Sequence, residues 1–523
     1  MEAKNGIKNI VSGLLKQIII LLLGLILPRL ILINYGSDIN GFMSSVNQMV
    51  TYLALLEVGV GTATLQALYR PIVNNNKDDI NCIMAATHHF YKRTGIIYGI
   101  IVIIFAFVYP IIIKTEIKSS TIISFILISG MVGVLNYLFQ GKYKILLQAE
   151  GKNYIITNLG TMVNVCTNIS KIILISLKIN IIGLQIAFLV FNIVQMLFIN
   201  NYIKKNYKWL DITVKANYDA ISQSESVMLH EISYMIFAHT DTLILTLMCD
   251  LKTVSVYSIY NMLFVQIESI INIFSSSVQF ILGQVYSECI QSYKKLYDIF
   301  EFSFLIISFI IFTVTYIFLE PFIRLYTLGV LDTNYLLPGL PILFIIIKIL
   351  TSIRTITNQT ITVGGFFSNT KWIAISEAII NLIATIIFVK HLGIYGVLLG
   401  TIIGLTFRVI FMSIYVNYKV LDRNIFILIR RLFFNSIILF LIKLMSKAFF
   451  FEFKGYFEML IAAAIVTVLT SVIYIVINLL IEKVILNEIL DFIKYKKIKV
   501  WLYTIFILLM KIIMNMKIYR KED

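Results

Sequence analysis

Fourteen long apolar runs follow one another along this chain with only short polar breaks, and they leave few ways to fold it. They fall near 10–33, 41–66, 93–113, 120–141, 154–177, 180–203, 227–249, 254–283, 297–319, 336–361, 370–390, 393–417, 425–450 and 457–481. A helix needs about 20 apolar residues to cross a bilayer. Backbone amides inside lipid have no water to bond, so runs of this length become helices, which bond internally. Composition agrees: of 523 residues, 59% are hydrophobic and 14% charged, against about 25% charged in a soluble domain. That excludes a soluble enzyme, and so much apolar surface excludes a disordered chain. The sequence predicts an all-α, polytopic membrane protein of about 14 transmembrane helices.

Charge orients the spans. The chain carries 44 Lys and Arg against 28 Asp and Glu, a net +16. In a soluble protein this excess would point to nucleic acid. Here it fits basic residues holding inner segments against an anionic leaflet, so no nucleic acid is expected. With the N-terminus inside, 30 bases fall at inner segments and span edges and 8 at outer ones. Six lie inside spans: Arg29, Lys171, Lys348, Arg354, Arg408 and Lys443. Both termini are therefore expected in the cytoplasm. Lys4, Lys8 and Lys16 precede an apolar run with no small-residue cleavage site, which predicts a retained first span. The basic tail from 484 to 523 carries one short apolar stretch and is expected to lie along the interface. Four widely spaced cysteines form no metal-ligand pattern, and no phosphate-loop motif occurs, so no metal, cofactor or nucleotide is expected.

Weak internal matches divide the chain. Asp38 to Asn47, entering span 2, resembles Asp250 to Asn261, entering span 8; both carry small residues and an Asn. Asn164 with Gly183 recurs as Asn381 with Gly396. These matches predict two six-helix lobes related by a pseudo-two-fold repeat, 1–203 and 227–418, joined by a polar cytoplasmic linker, 204–226. Two further helices follow in 419–483. Parallel repeats of this kind place a substrate path between the halves.

Each ionisable residue inside a span costs about 2.5–3.5 kcal/mol on insertion scales, so each is a functional candidate. The acids are Glu57, Glu231, Asp241, Glu268 and Glu377. Helical spacing groups the polar residues into stripes. Span 5 aligns Thr157, Thr161, Asn164, Asn168 and Lys171; span 8 aligns Asn261, Glu268, Asn272, Ser275 and Gln279. Span 7 gathers His230, Glu231, Tyr234, His239 and Asp241; span 10 gathers Lys348, Arg354, Asn358 and Gln359. Lipid cannot satisfy such stripes. Either they are glue between helices, or they line a hydrated cavity, and four stripes across both halves favour the cavity. Arginine's planar fork suits phosphate, and amides and hydroxyls suit sugars. The acids either neutralise the bases or, around Glu231, His239 and Asp241, form a cation-coupling site. Lys443 lies outside both repeats and is expected to reach the outer surface. Gly24 and Pro28 break span 1 beside Arg29.

Several segments, in order, resemble one family. Tyr35-Gly36 and Asn40-Gly41 come first, then Glu57, Gly59 and Gly61. Next are His239-Thr240-Asp241, Ser255 with Tyr257, and Glu320-Pro321-Phe322 through Arg324. Gly365-Phe366-Phe367, Glu377 with Asn381, and Gly393-Ile394-Tyr395-Gly396 complete the set. This series resembles the O-antigen and capsule flippases of the multidrug/oligosaccharidyl-lipid/polysaccharide exporter superfamily. It covers most of 1–420 and rests on the order of the segments. The resemblance implies two lobes opening alternately to each side of a bacterial cell membrane. It implies a substrate of oligosaccharide on undecaprenyl pyrophosphate, membrane lipids around it, and polysaccharide polymerase machinery as a partner. By analogy with the family's cationic cavity, Arg29 is the first expected pyrophosphate contact, with Lys171, Lys348, Arg354 and Arg408 behind it. Asn164, Asn168 and Asn272 are the expected amide contacts, and Glu57, Glu231, His239, Asp241, Glu268 and Glu377 the coupling or charge-balancing set. A cation-driven multidrug exporter of the same superfamily is the nearest rival. A membrane polysaccharide polymerase or glycosyltransferase is the rival of another class.

Overall fold

Fifteen α-helices account for most of the described residues, which are 2–57, 60–113, 115–221, 225–446 and 453–482 of a computed structural model. The first two apolar runs share one helix, α1 (Glu2–Tyr52), interrupted only at Gly36, where φ is 83° and ψ 176°. A side chain would be strained there, so glycine marks the break. A 3₁₀ turn (Leu53–Glu57) and α2 (Val60–Val73) carry the second run onward. α3 (Lys77–Ile112) starts well before its apolar run because the Asn76 side chain caps it, accepting from the Asp79 amide at 3.2 Å. α4 (Ser119–Leu135) passes through a π turn (Asn136–Gln140) into α5 (Gly141–Ala149). α6 (Asn153–Ser176) and α7 (Ile181–Asn206) complete the first lobe.

The second lobe holds α8 (Glu225–Met248), α9 (Leu251–Glu288), α10 (Ile290–Tyr326) and α11 (Leu340–Gly364). α12 (Phe367–Leu392), α13 (Ile394–Tyr415), α14 (Phe426–Ser446) and α15 (Tyr456–Ile481) follow. Among the described residues, ten helical stretches are long and apolar enough to cross a membrane. α8 is not among them, since Glu231, His239 and Asp241 dilute its apolar run. Each lobe has its own apolar core, one built on residues such as Phe42, Phe125 and Leu184, the other on Phe264, Phe309 and Phe344.

α14 and α15 are clasped to α10 by charge. Glu301, fully buried, accepts from Arg431 at 2.7 Å and from Arg423 at 2.6 Å, and Arg431 also holds Glu482 at 2.7 Å. Lys443 does not reach outward as expected. Its ammonium donates to the Tyr316 carbonyl of α10 at 3.1 Å and lies over the Tyr316 ring, a nearer partner than bulk water. The linker after α7 is bound to the first lobe. Asn81 donates to the Trp209 carbonyl at 3.3 Å and accepts from the Asp211 amide at 3.1 Å, while the Asn217 amide bonds the Cys82 carbonyl at 3.1 Å. The repeat partners Asn164 and Asn381 sit in unlike surroundings, the first exposed on α6 and the second buried against Thr401 at 3.1 Å. The basic tail lies outside the described residues.

Candidate functional site

A cavity of about 760 Å³ lies among α8, α9, α11 and α13, with Gln48 of α1 at its edge. A vestibule of about 460 Å³ adjoins it and shares Tyr234, Arg354, Asn358 and Thr362 with it. Three of the polar stripes meet here, because each puts its polar positions on the helix face turned away from lipid. From α9 come Asn261, Glu268, Asn272 and Gln279; from α11 come Lys348, Arg354, Asn358 and Gln359. From α8, His239 and Asp241 line the cavity, and His230 and Glu231 line the vestibule.

The bases of this site are bonded to acids. Lys348 lies 2.7 Å from Glu268. Glu377 has no exposed surface and bridges two guanidiniums, Arg354 at 3.1 Å and Arg408 at 3.0 Å. Arg408 also donates to Asn358 at 3.1 Å. The Arg354 guanidinium lies over the Tyr234 and Phe237 rings, 5.1 and 4.7 Å from their centroids. Asp241 is different. It accepts from the Tyr257 hydroxyl at 3.1 Å and the Thr401 hydroxyl at 3.0 Å, and has no ion pair among the described residues. His239 is bonded to Gln48 across the lobes.

Five of the expected site residues stand elsewhere. Arg29 points to the seam of α1 with α10 and α15, 6.0 Å from the Tyr326 centroid and 5.2 Å from that of Tyr456. Tyr326 in turn donates to the Leu25 carbonyl, near the bond lost to Pro28. Lys171 lies over Phe188 of α7 at 5.1 Å, and Asn168 donates to Asn164 on α6 itself. Glu57 accepts from Tyr91 inside the first lobe. Helical spacing shows which residues share a face, but not whether that face turns to the cavity or to a neighbour.

Sequence reasoning passes over Glu301, although it lies four residues inside the ninth run, and over Asp332 and Ser37. Ser37 begins the second half of α1, just after Gly36, where its amide has no partner within the helix. Asp332, from the α10–α11 loop of the other lobe, accepts that amide at 2.8 Å and the Ser37 hydroxyl at 2.7 Å. An N-cap is thus supplied across the lobes. Tyr335 joins Ser37 to Ser255, each at 2.7 Å, and Asn40 donates to Ser255 at 2.7 Å. Ser45 meets Thr246 at 2.9 Å further along. Gly41 lies so close to α9 that a Cβ would come within 1.8 Å of the Leu251 carbonyl oxygen. This polar seam closes the end of the molecule that the charge bias assigns to the outer side. Burial pushes the Asp332 carboxyl up, but the two Ser37 bonds and nearby Lys252 outweigh it and leave it below its ordinary value. Burial holds the Tyr335 hydroxyl up at about 12, so it stays protonated.

No protein-family model matches this sequence, and none of the curated proteins does. Solved structures do. The lipid II flippase MurJ, in an inward closed conformation, superposes with a TM-score of 0.65 at 15% identity, over 90% of this chain and 98% of that one. A multidrug resistance MATE family transporter of the MOP superfamily, inward-facing, gives 0.61 at 16% identity, over 78% of this chain and 98% of that one. An outward-facing MATE transporter gives 0.52 at 15% identity, over 80% and 95%. The all-helical, two-lobed fold is therefore shared with these solved structures.

Proposed function

We propose that this protein is a flippase that moves a lipid-linked oligosaccharide, carried on a pyrophosphate, from the inner to the outer leaflet by alternating access. The observation that carries the reading is the cavity wall. Amides from Asn261, Asn272, Gln279, Asn358 and Gln359 and hydroxyls from Ser269, Thr351 and Thr355 share the wall with Lys348 and Arg354, a lining matched to sugar hydroxyls beside an anion. The fold supports it, since MurJ is named a lipid flippase and spans a larger share of this chain than the multidrug transporters do. In this reading Lys348, Arg354, Arg408 and Asn272 hold the headgroup. An oligosaccharide on the outer leaflet is material for polymerase machinery in O-antigen, capsule or exopolysaccharide assembly.

Energy is available from the membrane potential. Moving two negative charges outward gains roughly 4.6 kcal/mol at 100 mV. Asp241, with hydroxyl partners and no ion pair among the described residues, resets the empty carrier by taking a cation, with His239 on the same cavity wall and Glu231 in the adjoining vestibule. One observation favours a second reading, a cation-coupled multidrug exporter: Glu231, Asp241, Glu268 and Glu377 outnumber Lys348, Arg354 and Arg408, so the second lobe's cavity and vestibule are not cationic overall.

The test is flipping of a lipid-linked oligosaccharide in proteoliposomes, with the potential clamped by potassium and valinomycin at equal pH and sodium. Outward flipping that rises with an inside-negative potential and is lost in Arg354→Ala is expected. Transport of lipophilic cations with no flipping would replace this reading with the exporter. In cells, deletion should leave whole repeat units on the inner leaflet, whereas exported but unpolymerised units would mark a polymerase.

A further inference from the structure

We infer that Glu377 is an internal stand-in for the substrate's phosphate, displaced from Arg354 and Arg408 when the phosphate binds, and that the displaced carboxylate then takes up a proton. The inference rests on the flippase reading, and a proton that travels with the lipid reduces the negative charge moved outward from two to one.

The geometry is that of an occupied anion site. Two guanidiniums, 4% and 3% exposed, converge on one carboxylate with no exposed surface. Both guanidiniums line the vestibule, and Arg354 also lines the main cavity, so a ligand in either space can reach the node. The Nε atoms of both arginines are buried and have no hydrogen-bond partner among the described residues, so the node has donors that Glu377 does not use. Arg354 lies over the Tyr234 and Phe237 rings and Arg408 donates to Asn358, contacts that keep the forks in place when the carboxylate leaves.

Charge then dictates the proton. Two guanidiniums and one carboxylate sum to +1. The other titratable groups facing the node are His230, Glu231 and Tyr234 from α8 and Lys348 from α11, which Glu268 of α9 already balances. Glu231, half-buried at the vestibule, pairs with neither arginine among the described residues. A pyrophosphate diester brings two negative charges, so the node would fall to −1 with Glu377 ionised and reach zero with it protonated. An uncompensated charge at membrane depth is expensive. Arginine cannot exchange a proton near neutral pH, so the carboxylate must. A proton from cavity water forms an O–H bond on Glu377 and no bond of the phosphate breaks. When the substrate leaves on the far side, Glu377 returns to the arginines and the proton departs. Binding of the lipid headgroup and of a proton become one event, separate from the cation at Asp241.

The experiment uses the full chain in nanodiscs and, as probe, a sugar joined through pyrophosphate to a short isoprenyl chain, a diester with two negative charges. Affinity is measured by calorimetry in buffers of different ionisation enthalpy, which also counts protons. About one proton taken up per ligand is expected in the native protein and in Asp241→Asn. Glu377→Gln should bind the probe as tightly or several-fold more tightly and take up none. Arg408→Lys, which keeps charge but loses the fork, should bind several-fold more weakly. In the native protein, infrared difference spectra should show the carbonyl stretch of a protonated carboxylic acid on binding, absent in Glu377→Gln. Binding without proton uptake, or uptake unchanged by Glu377→Gln, overturns the inference and leaves the flippase reading intact. No binding of the probe by the native protein overturns both.

Discussion

Removing the cap that one lobe gives the other should loosen the outer seam by a predictable amount. Asp332→Ala deletes both bonds to Ser37, of 2.8 and 2.7 Å. Loss of a carboxylate N-cap costs about 1 kcal/mol, within a range of about 0.5–2. The α10–α11 loop around Asp332 is exposed, which places the cost in the lower half of that range. About 1 kcal/mol multiplies the ratio of open to closed seam by about five. Cys249, half-buried at the end of α8 and next to the Leu251 carbonyl that meets Gly41, reports that ratio. With Cys82, Cys166 and Cys289 replaced by Ser, the rate at which an impermeant maleimide labels Cys249 should rise about fivefold in Asp332→Ala. The pH dependence has a definite sign. The closed-state carboxyl lies below its ordinary value, so its ionised form favours closure. That contribution is present at neutral pH and is lost as pH falls through the carboxylate range, so the ratio of labelling rates between Asp332→Ala and the native chain, compared at the same pH, should shrink toward one in acid. Unchanged or slower labelling in Asp332→Ala would refute the role of the cap.

Gly41→Ala should hold the same seam open more strongly, because a Cβ 1.8 Å from the Leu251 oxygen meets backbone that cannot give way; labelling of Cys249 should then exceed that of Asp332→Ala. Arg431→Ala leaves Glu301 and Glu482 buried without their shared partner, a loss of about 3–5 kcal/mol; a large drop in thermal stability in detergent is expected, while Arg430→Ala, whose partner carboxylate keeps Arg431, should change little. Intact spheroplasts treated with impermeant maleimide should show labelling at Cys249 and not at Cys82 or Cys289, which checks the orientation read from charge.

The all-helical, polytopic class was legible because a 20-residue apolar run has one way to sit in lipid, although ten stretches rather than fourteen meet that length and hydropathy among the described residues. The joining of the first two runs into α1 was legible only in part: Gly36 reads as a turn, yet the helix resumes at Ser37 because Asp332, 295 residues on, caps it. The cavity stripes on α8, α9 and α11 could be read because three helices agree on a polar face. Arg29 and Lys171 could not be placed, since an arginine over two tyrosines and a lysine over a phenylalanine satisfy themselves without a cavity. The clasp was hidden by the same charge rule that oriented the chain. Arg423 and Arg431 count as inner-surface bases in sequence, and only folding brings Glu301 and Glu482 to them.

The docked linker limits how far the machine can travel. Residues up to Ile221, which is 8% exposed, are fastened to the first lobe, and α8 begins at Glu225 in the second. Four residue steps of extended chain reach at most about 14 Å. The inner ends of the lobes are thus on a short leash: they can swing about the outer seam, but the start of α8 cannot move beyond that radius without unwinding the helix or tearing Asn217 from Cys82. On the flippase reading, a headgroup meets an opening whose width beside α8 has a fixed maximum, and its length, which the leash does not limit, is the dimension free to vary.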